Sequence, residues 1–261
     1  MHTTNRVSNK VNQSIAIWCV TLFVSLFSGL TQAQLITQQD YQLAPFESQF
    51  EAYYDGDATP VGYAILRLSQ LPNKLWQLEY ESKISKYFLT DKRNETTRYL
   101  YQANDSAAQL ALTPITYVYT RTGTGSDKSL SVTFDHAKNQ FFTSVPVDKQ
   151  VVFPLNSYVD NQLFRIDLPY QLSTGKTEFF YQFVNSRGQP REYKMHVVNQ
   201  ESQSLPIGVL DTIKVVINRG SSSRQTFAWF APSLNYQLVR LQQFKDGEVQ
   251  GDIKLRVHKP L

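Results

Sequence analysis

Apolar and polar side chains alternate with period two along most of this chain, and that pattern restricts it to a sheet-built fold. Trp76, Leu78 and Tyr80 alternate with Gln77, Glu79 and Glu81. Leu130, Val132 and Phe134 alternate with Ser129, Ser131, Thr133 and Asp135. Successive Cβ atoms on a strand point to opposite faces, so each run has one hydrophobic side and one wet side. Between the runs lie residues that turn a chain, such as Asp55-Gly56-Asp57, His136-Ala137-Lys138-Asn139, Pro206-Ile207-Gly208 and Lys245-Asp246-Gly247-Glu248. Gly supplies positive φ there, and Asp and Asn bond their own backbone. The expected product is one large curved antiparallel sheet or open half-barrel, of about 10–12 strands joined mostly by short hairpins.

One stretch departs from period two. Between Tyr158 and Leu172 the apolar positions Val159, Leu163, Phe164, Ile166 and Leu168 are spaced nearer three or four. This predicts a helix over about Val159–Leu168, with Asp160 capping its start and Pro169 interrupting its end. A helix this short does not stand alone, so it must pack across the sheet. The fold class is therefore all-β with one short helix.

The first residues carry an address. Arg6 and Lys10 precede an apolar run from Ile15 to Leu30, and Thr31-Gln32-Ala33 follows with small residues at the positions a signal peptidase reads. Residues 1–33 are expected to be a cleavable signal peptide cut after Ala33, which makes the mature protein periplasmic. The run from Ile15 to Leu30 is shorter than the roughly 20 residues of a spanning helix, so no permanent membrane span is expected after cleavage. Cys19 lies inside that run behind bulky Ile17 and Trp18, where a lipid-attachment signal wants small residues, and it leaves with the leader. Residues 34–261 then form a single cysteine-free β domain held together by burial rather than disulfides.

Charge excludes one class of partner. The chain has 26 Lys and Arg against 22 Asp and Glu; without Arg6 and Lys10 the balance is 24 to 22. Nucleic-acid binding needs clustered excess cation, so no nucleic acid is expected. No metal or cofactor is expected either. His136, His196 and His258 lie far apart, the mature chain has no Cys, and Asp55-Gly56-Asp57 is too sparse for calcium.

No catalytic residue is assigned. There is no Gly-x-Ser-x-Gly elbow, and no base is fixed beside Ser221-Ser222-Ser223. Arg219 and Arg224 flank that loop as solubilising cations. Glu79 and Glu81 share a strand face, but no partner carboxylate is evident. The aromatic content, 16 Phe, 15 Tyr and 3 Trp, suits half-buried strands. It also supplies candidates to line an apolar ligand site: Trp76, Leu78, Tyr80, Tyr117, Tyr119, Phe134 and Trp229.

Several segments in order resemble a known family. Leu205-Pro206-Ile207-Gly208-Val209-Leu210-Asp211-Thr212-Ile213 is similar to its Pro-x-Gly…Asp-Thr signature. Ala228-Trp229-Phe230-Ala231-Pro232 with Val239-Arg240-Leu241 is similar to the companion strand pair, and Phe50-Glu51-Ala52-Tyr53-Tyr54-Asp55 with Val61-Gly62-Tyr63-Ala64 to the opening hairpin. Thr133-Phe134-Asp135 is similar to a central strand. Together, over about residues 45–257, the chain resembles the bacterial envelope family catalogued as domain of unknown function 3108. It departs from the pattern at Leu210, at Leu238 and in Val159-Asp160-Asn161-Gln162-Leu163. The resemblance implies an architecture and an envelope address, with no catalytic residue to carry over.

The expected function is a non-catalytic binder or carrier of an apolar, lipid-like ligand in the cell envelope. The alternative is an assembly or scaffold protein that binds another envelope protein, and a cell-wall hydrolase is the least supported reading.

Overall fold

In the computed structural model the described residues are 41–102, 111–144, 150–155, 158–218, 220 and 223–261. The leader, and Arg219, Ser221 and Ser222 of the polar loop, lie outside them. The chain order is β1 (Phe46–Tyr54), β2 (Gly62–Gln70), β3 (Leu75–Lys86), β4 (Leu89–Gln102), β5 (Ala111–Gly123), β6 (Lys128–Asp135), β7 (Gln140–Ser144) and β8 (Gln150–Pro154). Then come β9 (Val159–Asp160), α1 (Phe164–Ser173), β10 (Glu178–Val184), β11 (Pro190–Leu205), β12 (Gly208–Asn218), β13 (Arg224–Ala231), β14 (Gln237–Lys245) and β15 (Glu248–Pro260).

All strands join one sheet in the order β8-β7-β6-β5-β4-β3-β2-β1-β15-β14-β13-β12-β11-β10-β9. Each strand pairs antiparallel with its sequence neighbour, which is what short hairpins allow. There are two exceptions. The first and last strands meet in the middle, with Phe46 opposite Pro260 and Tyr54 opposite Gly251. Short β9 lies parallel to β10, with Val159 opposite Phe183.

This connectivity forces the sheet to roll. Strands β8 and β9 are its two edges, yet only residues 155–158 separate them in sequence. That link spans at most roughly 18 Å. A flat sheet of fifteen strands would be on the order of 67 Å wide. The right-handed twist of the strands supplies the curl, and the two edges end as the lips of an unpaired seam. The expected curved, open antiparallel sheet is what forms. Among the described residues it has fifteen strands rather than about ten to twelve; short β8 and β9 are two that show no period of their own.

The helix also differs from expectation. Val159 and Asp160 are strand, and α1 runs from Phe164 to Ser173 with Pro169 inside it. Asp160 does not cap α1. Its Oδ1 accepts the backbone N–H of Gln162 at 2.8 Å, in the turn before the helix. Pro169 forfeits one intrahelical bond, which the surrounding packing offsets. The stop comes at Gly175, where φ is 80° and the N–H donates to the Leu172 carbonyl at 3.0 Å.

Apolar side chains on α1 point in more than one direction, as expected of a helix buried on all sides. Leu163 and Ile166 pack with Phe50, Leu66, Leu68, Trp76, Leu78 and Tyr99 of β1–β4. Phe164, Leu168 and Leu172 pack with Phe183, Met195, Val215, Ile217 and Phe230 of β10–β13. A third cluster joins Tyr117, Leu130, Val132 and Phe141 to Leu155 and to Val184 across the seam. The rolled sheet thus encloses the helix, and its own side chains fill these parts of the interior.

Candidate functional site

One opening lies along the seam. A crevice of about 630 Å³ is lined by the start of β5 (Leu112, Thr113, Pro114), the β6–β7 turn (His136, Asn139) and the seam link (Leu155, Tyr158). Its far side is formed by Val159, by Leu163, Phe164 and Asp167 at the helix start, and by Phe180, Tyr181 and Gln182 of β10. The opening sits where edge strands β8 and β9 do not pair. Its volume falls within the roughly 300–1,000 Å³ typical of small-molecule sites.

The lining is mixed, with apolar side chains and polar groups in about equal share. Asp167 is buried, and its Oδ2 accepts the Tyr181 hydroxyl at 2.7 Å and the side-chain amide of Gln171. Gln171 in turn accepts from Lys176 Nζ at 2.7 Å. Burial, then the Asp167 carboxylate, holds the Tyr181 phenol well above its ordinary value, so it stays a proton donor. His136 Nε2 lies 2.6 Å from the Pro114 carbonyl. A carbonyl only accepts, so Nε2 carries a proton.

Behind the crevice wall is a second polar group. Asp160 and Gln162 occupy the turn between Val159 and Leu163 and are fully buried. Asp160 Oδ1 accepts from the Thr97 hydroxyl and from Gln162 N, both at 2.8 Å. Burial pushes the Asp160 carboxyl up to about 7, against the pull of those bonds, and the nearby Glu95 adds to the rise. Glu95 accepts the buried Tyr117 hydroxyl at 2.6 Å. Among the described residues, Asp160 Oδ2, the Tyr99 hydroxyl, both amide atoms of Gln162 and Arg165 Nε have no hydrogen-bond partner. A buried polar atom without a partner costs about 1–3 kcal/mol, so this group is an expensive one for the fold.

The seven aromatic and apolar candidates fall elsewhere. Trp76, Leu78 and Trp229 lie in one core cluster with Tyr80 packed against it, and Tyr117, Tyr119 and Phe134 in another. Six of the seven are buried, Tyr80 is half-buried, and none lines the crevice. Trp229 donates its indole N–H to Glu201 at 2.6 Å and lies under Arg240, 4.7 Å from the ring centroid. Arg240 also holds Asp252 through two bonds, at 3.0 and 2.6 Å, and reaches Gln203 at 2.8 Å. Thr212 also donates its hydroxyl to the Glu201 carbonyl at 2.6 Å, so the signature residues Thr212, Trp229 and Arg240 meet in one network. It ties the β11–β12 arm to β13, β14 and β15.

Sequence reasoning missed Asp167, Tyr181, Gln171 and Tyr158. One signal was available: Asp167 stands between Ile166 and Leu168 in an otherwise apolar stretch. Among the described residues, no three of His, Cys, Asp and Glu converge as metal ligands, and no helix is long and apolar enough to cross a membrane.

A solved structure of another protein shares this architecture. A crystal structure of a beta-barrel-like protein of domain of unknown function DUF1849 from Brucella abortus is similar, with a TM-score of 0.57 at 8% identity. The match covers 84% of this chain and 99% of that one. A protein with a YmcC-like fold from Bacteroides fragilis matches over 84% of this chain and 97% of its own, with a TM-score of 0.33 at 13% identity. No curated protein matches the chain. The family described as "Protein of unknown function (DUF3108)" matches residues 49–254, and the chain belongs to that family.

Proposed function

We propose that this protein is an exported, non-catalytic binding protein of the bacterial envelope that holds a small ligand with an apolar body in the seam crevice. The observation that carries the reading is the crevice itself, of about 630 Å³, walled by Leu112, Pro114, Leu155, Val159, Leu163 and Phe164 with Asp167 and Tyr181 among them. Apolar side chains set among polar groups such as His136, Asp167 and Gln182 suit an amphipathic ligand, with an oily body and a polar end, such as a fatty acid. Packing around the helix fills much of the enclosed side of the sheet, so the ligand enters from the seam. The leader at residues 1–33 carries the address.

The test is native mass spectrometry of protein recovered from the periplasm of an exporting host, followed by titration with a fluorescent fatty acid. The expected mass is that of the chain from Gln34 plus one adduct lost on solvent extraction. Phe180 lines the crevice, is 49% exposed and lies outside the core, so Phe180→Ala leaves the fold intact. It is expected to weaken fatty-acid binding several-fold. An adduct-free protein that does not bind the probe, or a Phe180→Ala variant that binds it as tightly as wild type, overturns the reading.

A further inference from the structure

We infer that the β3–β4 hairpin tip docks this protein onto an anionic lipid surface. Tyr87, Phe88 and Leu89 are consecutive at the tip and are 91%, 84% and 48% exposed. No other described stretch presents three large apolar side chains in a row to solvent. The backbone there is also unfavourable. Lys86 pairs with Leu89, so Tyr87 and Phe88 form a two-residue loop, and Tyr87 has φ 54° where such loops favour Gly or Asn. Exposed aromatics held in a strained turn do nothing for folding, which points to a role outside the fold.

The tip is braced from both sides. The Thr124 hydroxyl donates to the Phe88 carbonyl at 3.2 Å and accepts from Thr90 N at 2.8 Å, while Thr124 N donates to Thr90 O at 2.8 Å. Lys86 pairs with Asp57 at 2.8 Å. The aromatics are therefore presented on a fixed support.

Charge identifies the partner. Just behind the tip, Lys83 stands directly opposite Lys92, and neither has an ion pair among the described residues. In the next row Arg93, Arg121 and Lys128 stand side by side across β4, β5 and β6. Like charges opposite one another destabilise a sheet. Asp91, bonded to Arg93 at 2.9 Å and to Arg121 at 2.7 Å, offsets part of the second row. Lys83 and Lys92 project from one face of the sheet and the other three from the opposite face, so cations flank the tip on both sides. Counting Lys86, six cations lie on β3–β6 around the tip, against Asp91 and Asp127 there and Asp55 and Asp57 of the β1–β2 turn.

Tyr, Phe and Leu projecting beyond a band of Lys and Arg match an anionic bilayer. The rings enter the headgroup–acyl boundary and the cations meet the phosphates.

The test uses vesicles of equal parts phosphatidylglycerol and phosphatidylcholine, with pure phosphatidylcholine as control, and protein purified after export. Wild type is expected to sediment with the anionic vesicles and to be released by high salt. Tyr87→Ser with Phe88→Ser should reduce binding about tenfold while leaving the circular-dichroism spectrum unchanged. Phe88→Trp should report a blue shift of its fluorescence on the same vesicles. Phe180→Ala should bind vesicles as wild type does, which separates this proposal from the crevice reading. It is overturned if wild type ignores anionic vesicles, if the double variant binds them equally well, or if a photocrosslinker at Phe88 in cells captures protein but no lipid.

Discussion

Asp160 shows how one residue departs from the logic of the sheet around it. A carboxyl whose pKa is raised to about 7 by burial keeps its proton in the folded state where the unfolded chain, near the ordinary value of about 4, has released it. Stability from this group therefore falls as pH rises from about 4 to about 7 and is level above that. The total is on the order of 4 kcal/mol. Asp160→Asn retains an oxygen for Thr97 and Gln162 N and removes the titration. Its advantage over wild type in thermal unfolding should grow from pH 4 to pH 8; parallel curves for the two proteins count against the assignment. Arg240 makes the opposite case. It is the bidentate partner of Asp252, which is 5% exposed. Arg240→Ala leaves that carboxylate only its longer contacts to Gln242 and Lys254, at 3.2 and 3.9 Å, and uncovers Trp229, at a cost of about 2 kcal/mol in urea unfolding; Arg240→Lys recovers less than half because an ammonium cannot span both oxygens.

The helix is the element that most clearly depends on its surroundings. Ten residues with a proline inside are not helical on their own, so α1 exists because the rolled sheet packs around it. Leu168→Ala, at a fully buried position between β10–β14 and the rest of the core, is expected to cost about 3–4 kcal/mol by chemical denaturation. Val209→Ala, on the exposed start of β12, should lie within about 0.5 kcal/mol of wild type. Equal effects at the two sites mean that the helix does not organise the core. The strand pattern itself was legible: the alternation at Trp76–Glu81 and Ser129–Asp135 marks β3 and β6, and the turns at His136–Asn139 and Pro206–Gly208 fall where their residues demand. The helix was legible in type but displaced by about five residues, because Val159 and Asp160 answer to a strand partner, β10, that lies more than twenty residues away.

For the whole molecule, joining β1 to β15 closes a contact between the two ends of the domain. Such long-range pairing is slow to form and holds the two halves together. Hydrogen exchange should find β1 and β15 among the last amides to open, at the global rate. Residues 150–154 of edge strand β8 should be among the first. Early exchange in β1 would show that the halves fold independently. Removing residues 248–261 deletes the strand joining β1 to β14 and is expected to abolish the sheet signal in circular dichroism, where a mere edge strand would not.

Period-two patterning and turn chemistry are local, so the amino-acid order alone determined that this chain builds hairpins, that Leu78, Val132 and Phe134 face inward, and that one segment breaks the rhythm. Family kinship was legible in the same way, in short motifs in a fixed order. Which strands become edges, that a four-residue link draws those edges into a seam, and that Asp160, Asp167 and Tyr181 gather beside it were decided only in three dimensions. These relations depend on the summed twist of fifteen strands and on contacts between residues far apart in the chain, and no local period records them.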